Sequence, residues 1–227
     1  MSITIAVPKG RLGNDLIRQL QKSGIGSSID LKSRKLIFRD EENDMEFVFL
    51  KNSDVITYVE NGIADMGIVG SDVIAESDSQ IYCLQKLDIG KCKMSVAGIT
   101  GREKFSEDAV LKVATKFPRT AKSFFEGRGQ EIKIIKLNGS IELAPILGLS
   151  DVIVDIVETG NTLRANGLSV LEDICEISGY IISNRVSYKF NKKQMDMAIK
   201  AMTAEEKTEQ KTEQKTEQKT EQKTEQA

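Results

Sequence analysis

Histidine is absent from the 227 residues of this chain. Without an imidazole the chain cannot build the usual serine or cysteine triad, nor most catalytic zinc sites. Tryptophan is absent too, and aromatic residues make up only 5%, which argues against a ring-stacking platform for single-stranded nucleic acid. Charge of one sign is also lacking: 32 basic residues stand against 34 acidic ones, and the stretch from Glu205, with its five Lys and seven Glu, accounts for the whole net charge of −2. The remaining body is close to neutral, whereas duplex DNA binding needs a basic face. No apolar run approaches the roughly 20 residues of a membrane span. The opening run Ile3 to Val7 is too short for a secretory signal, and Lys9 and Arg11 arrive too early. The expectation is a cytoplasmic protein that engages neither nucleic acid nor membrane. Cys83, Cys92 and Cys175 are odd in number and far apart, so they read as reduced, mostly buried thiols rather than a metal or redox pair.

Apolar residues make up 40% and are mainly Ile, Val and Leu. A chain of this length can bury a real core, and that composition favours buried parallel strands. Ile3 to Val7 reads as a strand, Leu12 to Lys22 as a helix, and Lys35 to Arg39 with Met45 to Leu50 as a hairpin about an acidic turn. A helix from Ser53 to Asn61, a strand from Asp65 to Val69 and a helix from Ser71 continue the order. After a strand from Lys93 to Thr100 the alternation restarts: Leu111 to Ala114, helix Pro118 to Glu126, strand Glu131 to Leu137, helix Ser140 to Leu147 and strand Val152 to Val157. Alternation predicts a mostly parallel sheet, and its restart predicts two α/β lobes. The lobes are expected at 1–90 plus about 170–203, and at 91–169. Strands at Ser169 to Ile177 and Gly179 to Asn184 and a helix from Asn191 to Met202 could return to either lobe. Five copies of Lys-Thr-Glu-Gln follow. With like charges at i,i+4 and no apolar face, residues 204–227 are expected to be a disordered tail.

The strongest chemical constellation spans Val152 to Thr162. A β-branched strand delivers Asp155 near its carboxyl end, and Glu158-Thr159-Gly160-Asn161-Thr162 then turns toward Leu163-Arg164-Ala165. Parallel sheets bind ligands at such strand ends. Gly160 permits close backbone approach, Thr159 and Thr162 offer hydroxyls, and N–H groups at a helix start favour an anion. An upstream carboxylate can accept hydrogen bonds from vicinal hydroxyls, so the combination fits a phosphorylated ribose, although an ordinary capped turn fits the spacing equally well. A second candidate is Pro8-Lys9-Gly10-Arg11. Two cations at a helix start oppose the helix dipole, which suggests a missing anion. Lys51-Asn52-Ser53-Asp54 and Gly70-Ser71-Asp72-Val73 read as helix caps.

The longer string Glu142, Gly148, Ser150, Asp155, Thr159-Gly160, Thr162-Leu163 resembles, with the same gaps, the signature of the ATP phosphoribosyltransferase family. Leu137-Asn138-Gly139-Ser140 and Ala165-Asn166-Gly167-Leu168 are similar as well, and the likeness extends from Ile3 to about Met202. The resemblance implies an α/β, two-lobed, periplasmic-binding-protein-like (type II) fold with a cleft between the lobes. It implies transfer of phosphoribosyl from 5-phosphoribosyl-1-pyrophosphate to N1 of ATP with release of pyrophosphate, the first step of histidine biosynthesis, with Mg²⁺ required. Because adenine N1 carries a free lone pair, the absent histidines are no obstacle. In that scheme Lys9 and Arg11, with Gly10 between them, would meet the leaving pyrophosphate, Asp155 the ribose hydroxyls, and Glu158 to Thr162 the 5-phosphate. Asp54, Asp72, Ser140 and Glu142 are further substrate-binding candidates, although Glu142 could instead cap the helix after Gly139. The Leu87 to Lys93 segment resembles the family's crossing between lobes. Nothing after Met202 has the length of the regulatory domain of long members, so the resemblance is to the short form, which works in a hetero-oligomer with a histidyl-tRNA synthetase-like regulatory subunit. A two-lobed solute-binding protein and a salvage phosphoribosyltransferase using a free nucleobase are the competing readings.

Overall fold

A computed structural model of the chain describes residues 2–102 and 110–203; the Lys-Thr-Glu-Gln repeat lies outside the described residues. The chain runs β1 (Ile3–Pro8), α1 (Arg11–Lys22), β2 (Ile37–Asp40), β3 (Met45–Leu50), a 3₁₀ turn (Asn52–Asp54), α2 (Val55–Glu60), β4 (Met66–Gly70), α3 (Ser71–Glu76) and β5 (Ile81–Lys86). It continues with β6 (Cys92–Ile99), β7 (Leu111–Thr115), α4 (Pro118–Glu126), β8 (Ile132–Lys136), α5 (Leu143–Ile146), β9 (Val152–Val157) and α6 (Asn161–Ala165). The last elements are β10 (Leu168–Ile177), β11 (Gly179–Asn184), α7 (Arg185–Phe190) and α8 (Lys192–Met202). Two α/β units result: residues 2–69, Ser79–Ile89 and 179–203 form one, and Gly70–Asp78 with Gly90–Ser178 the other.

The first unit holds a sheet in the order β2-β3-β1-β4-β11-β5. β1 pairs in parallel with β3 and β4, while β2 and β5 close the two edges antiparallel to their neighbours. Ile3, Ile5 and Val7 on β1, Phe47 on β3 and Ile68 on β4 are wholly buried with Leu16, Ile17 and Leu20 of α1. Truncating any one of these large side chains to Ala should cost about 2–5 kcal/mol. The C-terminal piece returns to this unit. Its β11 sits between β4 and β5, α8 contributes Met195, Ala198 and Met202 to the core, and Gln19 Nε2 donates to Met202 O at 2.5 Å.

In the second unit the order is β10-β6-β9-β7-β8. β7 runs parallel to β8 and β9, but β6 is antiparallel to both β9 and β10. The expected parallel sheet is therefore a mixed one, parallel only where helices supply the crossovers. Both faces are covered: Met94, Val113, Phe125 and Val154 lie in one cluster, and Ala97, Ala114, Ile153 and Leu163 in the other. That double burial explains why Val152-Ile153-Val154 is apolar without alternation.

Several local expectations change. β10 pairs along its length with β6, so this unit extends to Ser178 instead of ending near residue 169. β5 and α7 are additional to the elements that the sequence pattern predicts. β5 is an edge strand with mostly exposed side chains, and α7 starts on Asn184, whose side chain accepts from Val186 N and Ser187 N. The helix expected from Ser140 shortens to Leu143–Ile146 because Ser140 takes a left-handed φ of 49°. All three cysteines are free, yet Cys83 and Cys175 are exposed rather than buried, since both lie on edge strands. Among the described residues no helix is long and apolar enough to cross a membrane.

Candidate functional site

The run after β9 folds into a concave loop. Val152, Ile153 and Val154 are buried, Asp155 is half-buried at the strand's carboxyl end, and Glu158 and Thr159 are exposed. Gly160 adopts the left-handed conformation, φ 68°, that starts α6. Few other residues would take that angle without strain. Arg164 N donates to Gly160 O at 3.0 Å, and Asn166 Nδ2 to Thr162 O at 2.8 Å, so the loop is tied to the helix it opens. Arg164 also folds back to donate to Asn161 Oδ1, and an added Cβ on Gly160 would come within 3.1 Å of Arg164 Nη1. Glu142, Asp155, Glu158, Thr159, Gly160, Asn161 and Thr162 line one cavity of about 210 Å³.

Glu142 precedes α5 but its side chain makes no capping hydrogen bond there, and the residue lines this cavity. Ser140 lies two residues away in the strained turn and accepts from Leu143 N at 3.2 Å through its backbone carbonyl; it is not part of the cavity lining. Strained backbone of this kind is found preferentially at functional sites. Burial is the main cause that raises the Asp155 pKa above the ordinary carboxylate value, with the charge of Glu142 adding to it. The Ile156 N–H, which donates to Asp155 Oδ1 at 2.8 Å, and the charge of Lys116 oppose the rise.

Asp72, only 7% exposed, lies at the start of α3 in the same unit. Burial raises its pKa, opposed by its hydrogen bonds to the backbone N–H groups of Asp72 and Val73 and by Lys116. The carboxylate occupies the space beside Gly70, where an added Cβ would meet Asp72 Oδ1 at 2.0 Å. A Cβ there would displace the carboxylate, so the glycine supplies room rather than dihedral freedom. Asp72 sits outside the loop cavity, yet it shares Lys116 with Asp155. Sequence reasoning overlooked Lys116, although the strand-end rule that singled out Asp155 applies equally to the residue after β7.

In the first unit, Lys9 N donates to Leu50 O at 2.7 Å, holding the basic loop beside the end of β3. Gly10 has φ 114° and precedes α1, whose first turn contains no acidic residue. The dipole conflict inferred for Lys9 and Arg11 is therefore not relieved by a carboxylate in that turn. Asp54 closes the 3₁₀ turn and accepts from Ser53 Oγ at 2.8 Å, but it makes no helix-capping bond. Among the described residues no group of three or more Cys, Asp or Glu side chains is arranged to hold a metal ion.

Comparison with known proteins adds a family. The profile of the family described as HisG, ATP phosphoribosyltransferase, matches residues 51–204. An ATP phosphoribosyltransferase of Clostridioides difficile strain 630 is 57% identical over 198 residues, which span 87% of this chain and 95% of that protein. One from Alkaliphilus metalliredigens is 52% identical over 195 residues, spanning 85% and 92% respectively. Among solved structures, the ATP phosphoribosyl transferase (HisG:HisZ) complex from Thermotoga maritima contains a chain matched with a TM-score of 0.75 and 33% identity, covering 88% of this chain and 96% of that one. With the two mixed sheets, this match gives the fold class as α/β, periplasmic-binding-protein-like of type II.

Proposed function

The chain belongs to the ATP phosphoribosyltransferase family, and from that premise we propose how its own residues serve the family's reaction. The reaction is the first step of histidine biosynthesis. N1 of ATP displaces pyrophosphate from C1 of 5-phosphoribosyl-1-pyrophosphate, and the difficulty is electrostatic: two polyanions must meet while positive charge develops on the ribosyl carbon.

The observation that carries the reading is the cavity formed by Asp155 and the loop from Glu158 to Thr162, with Glu142 on its wall. Its backbone N–H groups and the hydroxyls of Thr159 and Thr162 suit the 5-phosphate. Asp155, acid and close to the strand end, suits the ribose hydroxyls, since hydrogen bonds to an ionised acceptor are roughly twice as strong as neutral ones. Lys9 and Arg11, carried by the Gly10 turn, are assigned to charge on the departing pyrophosphate. Asp54, Asp72 and Ser140 remain candidates for substrate contact.

The family uses a divalent metal, and Mg²⁺ is the ion proposed here. The described residues offer no cage of three metal-ligating side chains. Such an ion fits as one carried by phosphate oxygens and water, in the manner usual for magnesium, and no residue is assigned to it. The relationship to the catalytic chain of a HisG:HisZ complex supports assembly with a histidyl-tRNA synthetase-like regulatory subunit, in the cytoplasm. The test is pyrophosphate release by the purified chain with ATP or free adenine as acceptor, alone and with that subunit. Release with ATP, strengthened by the subunit, is expected. Release with adenine alone would overturn the acceptor assignment, and full activity with histidine inhibition in the isolated chain would overturn the partner.

A further inference from the structure

Lys116 immediately follows β7, and β7 lies parallel beside β9 with Thr115 opposite Val154. One residue further along, Lys116 and Asp155 therefore occupy neighbouring positions at the carboxyl ends of adjacent strands. The peptide that carries Lys116 is held on both sides. Buried Thr115 donates through Oγ1 to Val154 O at 2.7 Å and accepts from Phe117 N at 2.8 Å. Glu76, at the end of α3, accepts from Arg119 N at 3.1 Å and from Thr120 N and Oγ1 at 2.8 and 2.7 Å. Those bonds fix the first turn of α4 directly after Lys116.

The ammonium group, 6.0 Å from the centroid of the Phe117 ring, is a lesser influence that favours the charged forms of two carboxylates, Asp155 from β9 and Asp72 from α3, against burial. Asp155 has a second opponent in Glu142. Other charged groups stand on the neighbouring elements. Across β6 it faces Ser95, whose hydroxyl donates to Asp173 at 2.8 Å, and Asp173 in turn pairs with Lys93 at 2.5 Å. Arg164 of α6 is bonded to Asn161, and Glu158 is acidic. Among the described residues, the charge of Lys116 favours ionised Asp155, though less than burial, the Ile156 N–H and Glu142 weigh on it. A carboxylic acid that is buried beside another acid tends to keep its proton and lose its strength as an acceptor.

We propose that Lys116 is a positioning residue for the phosphoribosyl site, fixing Asp155 as a charged acceptor for the ribose hydroxyls without itself touching substrate. The inference rests on the reading of Asp155 given above. Its test uses the full chain with the regulatory subunit for kinetics, and the full chain labelled with ¹³C in its carboxyl groups for NMR titration. In Lys116→Met the titration of Asp155 and the acid limb of kcat/KM should both move up, because an opposite charge that favours the ionised form has been removed. Lys116→Arg should restore both. In a background carrying both Asp155→Asn and Asp72→Asn, Lys116→Met should add no further loss. Lys116→Gln provides a second neutral variant should Lys116→Met fail to fold. If Asp155→Asn leaves the KM for the ribosyl substrate unchanged, the role of Asp155 itself falls. If Asp155→Asn raises that KM while the neutral Lys116 variants leave the Asp155 titration where it was, the positioning role falls alone.

Discussion

Helix α1 lies so close to the end of β1 that Gly13 has no room for a side chain. A Cβ added there would meet Pro8 O at 1.9 Å and Val7 Cγ1 at 2.9 Å. The carbonyl cannot turn away, because β1 is registered against β3 as far as Pro8 and Leu50, and Lys9 N is bonded to Leu50 O. Ordinary contact begins near 3.4 Å, so Gly13→Ala must move the start of α1 by about 1.5 Å. Overpacking of this kind costs about 1–3 kcal/mol, and the better helix propensity of Ala returns about 1 kcal/mol. A net loss of about 1 kcal/mol lowers the melting temperature of a protein this size by only about 2–4 °C. Function should suffer far more, because Lys9, Gly10 and Arg11 form the turn that moves, and an ångström of misplacement can reduce rate about 10²-fold. The assay is pyrophosphate release with ATP and the regulatory subunit, alongside a thermal melt. A wild-type kcat with the small expected melting shift would refute the assignment of this turn to catalysis.

Three further outcomes are expected. Lys9→Ala should lower kcat by about 10²-fold, as for loss of one preorganised donor, whereas a change confined to KM would assign Lys9 to ground-state binding. Gly160→Ala must hold a left-handed angle at a cost of about 1–2 kcal/mol and crowds Arg164; it should raise the KM for the ribosyl substrate more than that for ATP, and equal increases would contradict the phosphate role. Asp155 has a raised pKa in the folded state, so the folded chain binds its proton more tightly than the unfolded chain. Its contribution to stability therefore declines as pH rises from 3.8, the ordinary value, through the raised folded value. Asp155→Asn should remove that decline, so in urea unfolding its advantage over wild type grows with pH across the window and is constant above it. An advantage that shrinks with rising pH would show the sign to be wrong.

The parts of the molecule legible in the sequence are those where one strong local signal acts alone. Helix α4 is legible at Pro118–Glu126, where Pro118 occupies its first turn, and β9 is legible through the consecutive apolar residues Val152, Ile153 and Val154. The loop after β9 was legible through Gly160, whose observed φ of 68° is the reason a glycine stands there. Signals that depend on distant partners were lost. β5 has mostly exposed side chains and owes its place to pairing with β11, a strand nearly a hundred residues later. α5 is short because of the left-handed Ser140, a dihedral that no composition announces. Lys116 stands at a strand end that the same local rule marks, but its neighbour Asp155 is brought beside it by strand register rather than by sequence proximity.

The role proposed for the Glu158–Thr162 loop is to grip the 5-phosphate and not the pyrophosphate. The direct measurement is calorimetric binding of ribose 5-phosphate and of pyrophosphate, each alone, to the full chain and to its Thr162→Val variant. Losing a hydrogen bond to a charged group should weaken ribose 5-phosphate binding by about tenfold and leave pyrophosphate binding unchanged. Weakened pyrophosphate binding with ribose 5-phosphate unaffected would contradict the claim.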